Sequence, residues 1–311
     1  MKCSLCSLAL IFSLLAGRVD ATLVAYDAFL TGTDRAAGQY ATGNVTISNT
    51  AILGWPAPPP NVAGSTAYSG TTSNYQIEAG ASQNSPLVDY DTEVTPGGAQ
   101  GQLNWIGASG DFNRNVIRNL SPIPSSNQWW MSIMVNRTGA AWANTGTANN
   151  RFVVGGFANA LDSLNGLAIG YSNVSGDGVP DLVLRSNYNV LTTLIPDAPG
   201  NTVQFVIVKL IVDPVGLAAN DEVSVWVNPT NVSSVAALGA PLVTMMQDVA
   251  NSLTPFTASR FVSLGVSGVA KFDELRLATR FGGLFVVPEP SALLIVGVFG
   301  MLLAGCRSPR R

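Results

Sequence analysis

Short runs of strand-forming residues recur along this chain, and Gly, Pro, Asn, Asp or Ser residues separate one run from the next. No segment of helical length carries a sustained apolar stripe with the 3.6-residue period of a surface helix. The runs cover residues 44–48, 75–79, 129–135, 151–157, 166–171, 181–185, 202–212, 221–227, 261–266 and 271–278. This pattern predicts an all-β fold, and the number of runs suits one antiparallel β-sandwich.

Two of the runs indicate how the sheets are covered. In the run 221–227 the side chains alternate, so that Val223 and Val227 share one face while Trp226 lies on the other. The run 202–212 is almost continuously apolar, which is typical of a central strand covered on both faces. Helix is expected only as a turn or two, at 232–238 and 242–252.

Composition removes several kinds of chemistry. The chain has no His, the residue most often used for acid–base catalysis, for Ser or Cys triads and for zinc ligation. Cys3, Cys6 and Cys306 all lie in the terminal segments, so the body between them has no disulfide framework. We therefore expect no bound cofactor and none of the common hydrolase triads.

The charge of the body argues against nucleic acid as a partner. Residues 22–286 contain 2 Lys and 9 Arg against 17 carboxylates, which is a formal charge of −6. A nucleic-acid-binding protein normally has a basic surface that neutralises phosphates. We therefore expect no nucleic-acid partner.

The N-terminus reads as a secretory signal peptide. Lys2 precedes an apolar run at 8–16, and Val19 and Ala21 stand at the −3 and −1 positions of a cleavage site. Signal peptidase and the general secretion machinery are therefore expected partners, with cleavage after Ala21. The alternative is a first helix buried in the fold.

The C-terminus has three consecutive parts. A stiff motif without amide donors at its prolines precedes fifteen uncharged and mostly apolar residues at 291–305. Basic residues follow and would stay on the cytoplasmic side of a membrane. The motif consists of Val287, Pro288, Glu289 and Pro290, and the basic tail contains Arg307, Arg310 and Arg311.

This order of motif, apolar helix and Arg-rich tail resembles the PEP-CTERM family. The resemblance implies export from a Gram-negative bacterium, transient insertion of the C-terminal helix into the inner membrane and recognition of the Pro-Glu-Pro motif by an exosortase. It also implies delivery to the cell surface or the exopolysaccharide matrix. The alternative is an ordinary tail anchor after a proline-rich linker. The expected organisation is a signal peptide at 1–21, a body at 22–283 and a sorting segment at 284–311.

Four short segments of the body resemble the concanavalin A-like (laminin-G-like) jelly rolls that often precede such a tail. They are residues 25–29, 204–209, 225–229 and 271–277. The resemblance covers roughly residues 23 to 280 and implies a lectin-like jelly roll. It also implies that the first and last strands lie together, with Tyr26 near the segment 272–277.

A group of carboxylates suggests one catalytic alternative. Asp89, Asp91 and Glu93 alternate along the chain, so a strand would place all three on one face about 6 to 7 Å apart. Retaining glycosidases use two carboxyl groups about 5 to 5.5 Å apart. The match to a jelly-roll glucanase strand is partial, and a solvated strand face or loop is the other interpretation.

A turn-rich segment offers a weak calcium site. Asn173, Ser175, Asp177 and Asp181 occupy positions similar to those of a calcium-binding loop, in which oxygen atoms ligate the cation. Asn and Ser replace the first two acidic ligands of such a loop. The alternative is a plain hairpin turn between two strands, which Asp177–Gly178 favours because Asp-Gly readily adopts positive φ.

Three aromatic residues are candidates for stacking on sugar rings, and these are Trp130, Tyr171 and Trp226. Core packing is the alternative for each of them. Trp129 and Trp130 are adjacent in a predicted strand, so their rings point to opposite faces, and we expect at most one to be buried. Asp273, Glu274 and Arg276 are expected to form an ion-pair set on a sheet edge.

Taken together, these patterns predict a non-enzymatic, lectin-like protein of the bacterial surface or matrix, which contacts polysaccharide. Two alternatives remain at this point. One is a secreted glycan hydrolase that uses Asp89, Asp91 and Glu93, and the other is a purely structural matrix protein.

Overall fold

A computed structural model describes most of the central and C-terminal body. The described residues are 23–27, 43–44, 69–70, 75–79, 101–105, 113–120, 123–137, 152–159, 166–173, 177–186, 190–213, 221–247, 249, 253–264 and 269–285. The predicted signal peptide and sorting segment lie outside these ranges. Within them, no helix is long and apolar enough to cross a membrane.

The described elements are strands, apart from two short 3-10 turns, and they form two antiparallel sheets. In the first sheet, β14, β13, β12, β7, β16, β5, β4 and β2 follow one another, and β1 pairs with β16. Its strands are β1 (Leu23–Asp27), β2 (Gly43–Asn44), β4 (Tyr75–Ala79), β5 (Gly101–Trp105), β7 (Gln128–Arg137), β12 (Gln204–Ile211), β13 (Asp221–Val227), β14 (Val243–Gln247) and β16 (Ala270–Ala278).

The second sheet has the order β11, β10, β9, β8, β15, β6, β3. Its strands are β3 (Ser69–Gly70), β6 (Asn113–Asn119), β8 (Phe152–Ala158), β9 (Gly166–Ser172), β10 (Asp181–Ser186), β11 (Val190–Ile195) and β15 (Ala258–Leu264). The all-β sandwich expected from the sequence is therefore confirmed at the level of two packed antiparallel sheets.

The inner faces of the two sheets share one apolar core. Residues from both sheets contribute to it, among them Trp129, Met131, Ile133, Val206, Val208, Val225, Val153, Phe157, Ile169, Leu182, Leu184 and Phe261. Phe261 of the second sheet packs edge-on against Phe272 of the first, with ring centroids 5.2 Å apart. Gly155 leaves room for this ring, because a Cβ at that position would lie 2.3 Å from it.

The runs 221–227 and 202–212 are covered as their sequence patterns predict. Val223 and Val225 belong to the inner core, while Trp226 lies in a separate cluster on the outer face of the first sheet. Strand β12 lies between β13 and β7 and is covered on both faces, with Val206 on the inner side and Ile207 on the outer. Burial on both sides explains why its sequence is continuously apolar.

The last strand, β16, is central rather than an edge. It pairs with β7 on one side, and on the other side β5 pairs with its first part and β1 with its second. Tyr26 is opposite Arg276, so the first and last strands do lie together. The edge position expected for Asp273, Glu274 and Arg276 is wrong, because these three side chains are buried.

One predicted helical stretch is a strand. Residues 243–247 form β14, which pairs with β13, where the sequence pattern at 242–252 suggested a helical turn. In β14 the half-buried Val243 and Met245 alternate with the more exposed Thr244 and Met246, so its period is two. The other expected turn is confirmed in part, as a 3-10 turn at Ala236–Leu238.

Candidate functional site

The outer face of the first sheet carries a second apolar cluster, which we call the aromatic cluster. It consists of Trp130, Met134, Phe205, Ile207, Trp226, Leu238, Ala278, Phe281 and Leu284. Trp130 and Trp226 are stacked with ring centroids 5.9 Å apart, and Phe281 meets Trp130 edge-on at 5.0 Å. The ammonium group of Lys209 lies 5.8 Å from the centroid of the Trp130 ring.

The C-terminal 3-10 turn at Phe281–Phe285 forms part of this aromatic cluster. Its Leu284 is fully buried, and the Leu284 carbonyl accepts a hydrogen bond of 2.7 Å from Nη1 of Arg276. Arg276 also forms an ion pair of 2.7 Å with Glu274. The packed residues that the structure describes therefore include the turn up to Phe285.

Glu274 and Arg276 owe their positions to an irregularity in β16. The register with β7 shifts between Asp273 and Arg276, and Glu274 has a left-handed φ of 51°. Such a bulge re-aims side chains, and here both partners of the ion pair are buried, with exposed fractions of 2% and 1%. A buried pair of this kind needs good geometry to offset the desolvation of its charges.

Trp130 and Trp226 are not open stacking platforms. Their exposed fractions are 1% and 6%, and the Trp226 ring nitrogen donates to the Gly239 carbonyl at 3.0 Å. Trp129 is buried on the inner face as well, so the expectation that only one of the adjacent pair is buried is wrong. The reason is that Phe281 and Leu284 cover the outer face, which gives the sheet an apolar layer on both sides.

Tyr171 is also buried rather than presented to a ligand. It belongs to the inner core, and its exposed fraction is 0%. Burial raises the pKa of its phenol well above the usual range, although the charge of Arg137 acts in the opposite direction. The hydroxyl therefore stays protonated, and in this conformation the ring has no face open to a sugar.

The turn between β9 and β10 places two of the predicted calcium ligands in structural roles. The two strands form an antiparallel hairpin, as expected. One carboxylate oxygen of Asp177 accepts the backbone N–H of Val179 at 2.8 Å, and Asp181 accepts the N–H of Asp197 at 2.9 Å. Asn173 is buried, and Ser175 lies outside the described residues.

Asp197 is a third carboxylate beside this turn, and the sequence pattern did not single it out. The neighbouring carboxylate of Asp177 raises its pKa most, and partial desolvation and Asp181 add to the effect. The described residues contain no group of three or more His, Cys, Asp or Glu that could hold a metal ion. Calcium binding at this turn stays a prediction.

The outer face of the second sheet carries a groove, which we call the outer groove. Its floor is made of small residues on β8 and β9, namely Gly156, Ala158, Gly166 and Ala168, and Arg185 and Arg260 lie at its sides. About 310 Å³ of empty space lies over this floor, open solvent included, and the centre of a water molecule can reach only about 20 Å³ of it. Only glycine fits at 156, because a Cβ there would lie 2.1 Å from the Leu167 carbonyl oxygen.

The two arginines come from different strands, β10 and β15. The guanidinium of Arg185 lies 4.5 Å above the centroid of the Phe152 ring, within the range of a cation–π contact. Arg260 is half-buried on β15 beside Val262, which also lines the groove. Neither arginine was singled out from the sequence, because an isolated Arg in a strand gives no local signal of a partner on another strand.

The remaining predicted site residues lie outside the described residues. They are Asp89, Asp91 and Glu93 of the hydrolase alternative, Val287, Pro288, Glu289 and Pro290 of the sorting motif, and Arg307, Arg310 and Arg311 of the tail. Their roles stay predictions.

No protein-family model matches the chain, and no curated protein matches it. Among solved structures, it is similar to domain 4 of a GH43 extracellular arabinanase from Geobacillus stearothermophilus, solved with arabinotriose. The identity is 16% over 86% of this chain and 98% of that one, with a TM-score of 0.33. It is also similar to the carbohydrate binding module CBM66 from Bacillus subtilis, at 8% identity over 66% of this chain and 95% of that one, with a TM-score of 0.31.

A third similar structure is a carbohydrate esterase from the Shiga toxin-encoding bacteriophage phi24B. The identity is 11% over 67% of this chain and 91% of that one, with a TM-score of 0.37. Similarity at this level does not identify a ligand or a reaction for this chain. The class that the described residues define is therefore an all-β, two-sheet sandwich, and its function is argued from its own residues.

Proposed function

We propose that this chain is an exported protein of the bacterial surface or exopolysaccharide matrix, sorted by an exosortase through its Pro-Glu-Pro tail, and that its body is a jelly roll that contacts glycans without cleaving them. The signal peptide at 1–21 directs export, and the apolar segment 291–305 holds the chain in the inner membrane until it is processed. Signal peptidase, the secretion machinery and an exosortase are its processing partners.

The position of the sorting motif relative to the folded body carries this proposal. The packed residues that the structure describes end with the 3-10 turn at Phe281–Phe285, and the motif begins at Val287. Pro288 and Pro290 favour an extended backbone, because proline fixes φ and lacks an amide donor. A stiff segment that follows a folded body so closely in the sequence would suit the cleft of a membrane enzyme.

The sorting step is tested in a Gram-negative host that carries an exosortase and in the same host without it. We expect the wild-type chain in the surface or matrix fraction of the first host and in the inner membrane of the second. Glu289→Ala is expected to remain in the inner membrane of both hosts. Glu222→Ala, the same change within the body, serves as the control. Surface delivery of Glu289→Ala would contradict the proposal.

Glycan contact is assigned to the outer groove. Its small Gly and Ala residues leave this part of β8 and β9 without large side chains over it, and the arginines beside it carry hydrogen-bond donors. The aromatic cluster does not serve this purpose, because its rings are covered. In this proposal the sugar rings therefore meet the small residues of the outer groove and no exposed aromatic ring.

Glycan contact is tested with the full-length chain in detergent, a glycan array and an assay for new reducing ends. We expect binding without new reducing ends. Ala168→Leu fills the groove and is expected to abolish binding, while Ala240→Leu, the same change at an exposed position outside the groove, leaves binding intact. New reducing ends would favour the hydrolase alternative, and equal binding by both variants would remove the groove from the proposal.

A further inference from the structure

The two arginines of the outer groove belong to one row across four strands. Arg260 of β15 is opposite Gly156 of β8, Gly156 is opposite Ala168 of β9, and Ala168 is opposite Arg185 of β10. Residues directly opposite one another in a sheet point to the same face. Because adjacent strands lie about 4.8 Å apart, the two arginine Cα atoms are about 14 Å apart, with only small side chains between them.

The neighbouring rows shape the space between these arginines. The neighbouring row on one side consists of small residues, with Ala158 opposite Gly166. On the other side the row is apolar, since Val154 is opposite Val262 on β15 and Gly170 on β9. The space between the two arginines is therefore bordered by an apolar ridge on one side, and the Arg185 guanidinium lies toward that side, where it meets Phe152.

The side chains at the two ends suit planar anions. Arg185 is 8% exposed and lies against the Phe152 ring, so that its guanidinium is positioned before any ligand arrives. A guanidinium keeps its charge at any physiological pH, and its fork of five N–H donors matches a carboxylate in two-point contact.

The charge of the remaining body makes this pair unusual. Residues 22–286 have a formal charge of −6, so an acidic polymer is repelled by the molecule as a whole and attracted at a local cationic site. Two cationic groups separated by an uncharged floor complement a polymer that carries negative groups at intervals. A single anion would need only one of them.

We propose that the outer groove binds a carboxylated polysaccharide, with Arg185 and Arg260 each taking a carboxylate and the Gly and Ala floor contacting the sugar rings between them. This inference rests on the proposed glycan contact and adds the class of the ligand. It also makes the affinity sensitive to salt, because part of the attraction is between charges near the surface.

The test uses two forms of one glycan, which differ only in charge. Oligogalacturonate carries a carboxylate on each ring, and its methyl ester is neutral. Binding of each to the full-length chain in detergent is measured by calorimetry at low and at moderate salt. The variants are Arg260→Gln and the matched control Arg280→Gln, which makes the same charge change at an exposed position outside the groove. Thermal unfolding of each variant confirms that it is folded.

The expected result is that the acid binds and the ester does not. Arg260→Gln is expected to weaken binding of the acid about tenfold or more, which is the effect of losing one charge-assisted contact. Arg280→Gln is expected to bind the acid as the wild type does. Arg260→Lys is expected to recover only part of the affinity, because an ammonium lacks the two-point geometry.

Two results would overturn the inference. If acid and ester bind equally and Ala168→Leu blocks both, the glycan groove stands and the carboxylate assignment fails. If Arg280→Gln weakens binding of the acid as much as Arg260→Gln does, the attraction is a general effect of charge. The row from Arg260 to Arg185 is then not a binding site. Binding of neither form also contradicts the inference, while the glycan array still tests glycan contact independently.

Discussion

Arg276 connects two parts of the end of the body. It pairs with Glu274 in a buried position and donates to the Leu284 carbonyl, so one guanidinium holds both the bulge of β16 and the last described turn. Removing one partner of a buried ion pair leaves the other charge without compensation, which costs far more than breaking an exposed pair. The burial of this pair therefore predicts a large loss in the free energy of unfolding when Arg276 is removed.

Arg276→Met is expected to lower the free energy of unfolding by about 3–5 kcal/mol, because Glu274 would stay buried without its ion-pair partner. Chemical denaturation of the purified chain measures this cost. The double variant Glu274→Gln/Arg276→Met is expected to recover part of the loss, since the buried carboxylate of Glu274 is then removed together with its partner. A cost below about 1 kcal/mol for the single variant, the size typical of an exposed pair, would contradict the buried geometry.

The stacked tryptophans differ in their ring nitrogens. The Trp226 nitrogen donates to Gly239, whereas the Trp130 nitrogen is buried without a hydrogen-bond partner in the described part of the chain. Trp226→Phe should therefore cost about 1 kcal/mol more than Trp130→Phe, measured by denaturation, because only the former loses a hydrogen bond. Neither change should alter glycan binding in a folded variant, and a loss of binding would restore these rings as ligand contacts.

Asp197→Asn is expected to raise the unfolding temperature at pH 7 and to have no effect at pH 3. The pKa of Asp197 is raised in the folded protein, chiefly by Asp177, so its charged form is disfavoured there. Stability is therefore lost as pH rises through this raised pKa, and the amide avoids that loss. Asn also tolerates the left-handed φ of 48°. Glu222→Gln is the control, and an equal shift at both pH values would contradict the repulsion.

At the scale of elements, the C-terminal turn at Phe281–Phe285 is an outer layer of the first sheet. Ending the chain after Arg280 would uncover Trp130 and remove the contact from Arg276 to Leu284. Relative to a chain ending after Val286, we expect a lower unfolding temperature and a red-shifted tryptophan fluorescence. Equal unfolding temperatures for the two chains would show that this turn does not stabilise the body.

Strand pattern was sufficient to predict most of the elements and their faces, because alternation in 221–227 and the apolar run 202–212 are local signals. It failed at β14, where a short half-polar edge strand resembles a helical turn over a few residues. It also failed for Trp130, since the cover of its ring comes from a turn about 150 residues later. The row from Arg260 to Arg185 needs the register of four strands, which a sequence does not display.

At the scale of the whole molecule, the chain combines a sandwich without cysteines with two terminal segments that resemble targeting sequences. The described residues bury an inner core, the outer aromatic cluster and a smaller apolar cluster on the outer face of the second sheet. The last described residues complete the aromatic cluster. In the sequence, the proposed sorting motif begins two residues after the last described residue, Phe285.

The intact mass of the chain recovered from the cell surface tests the central claim most directly. We expect a species that lacks residues 1–21 and has lost the C-terminal helix by cleavage at or near Pro288–Pro290. In a host without the exosortase, the apolar segment and the arginine tail should remain. A surface species that retains Met1 or Arg311 would contradict export and sorting by this route.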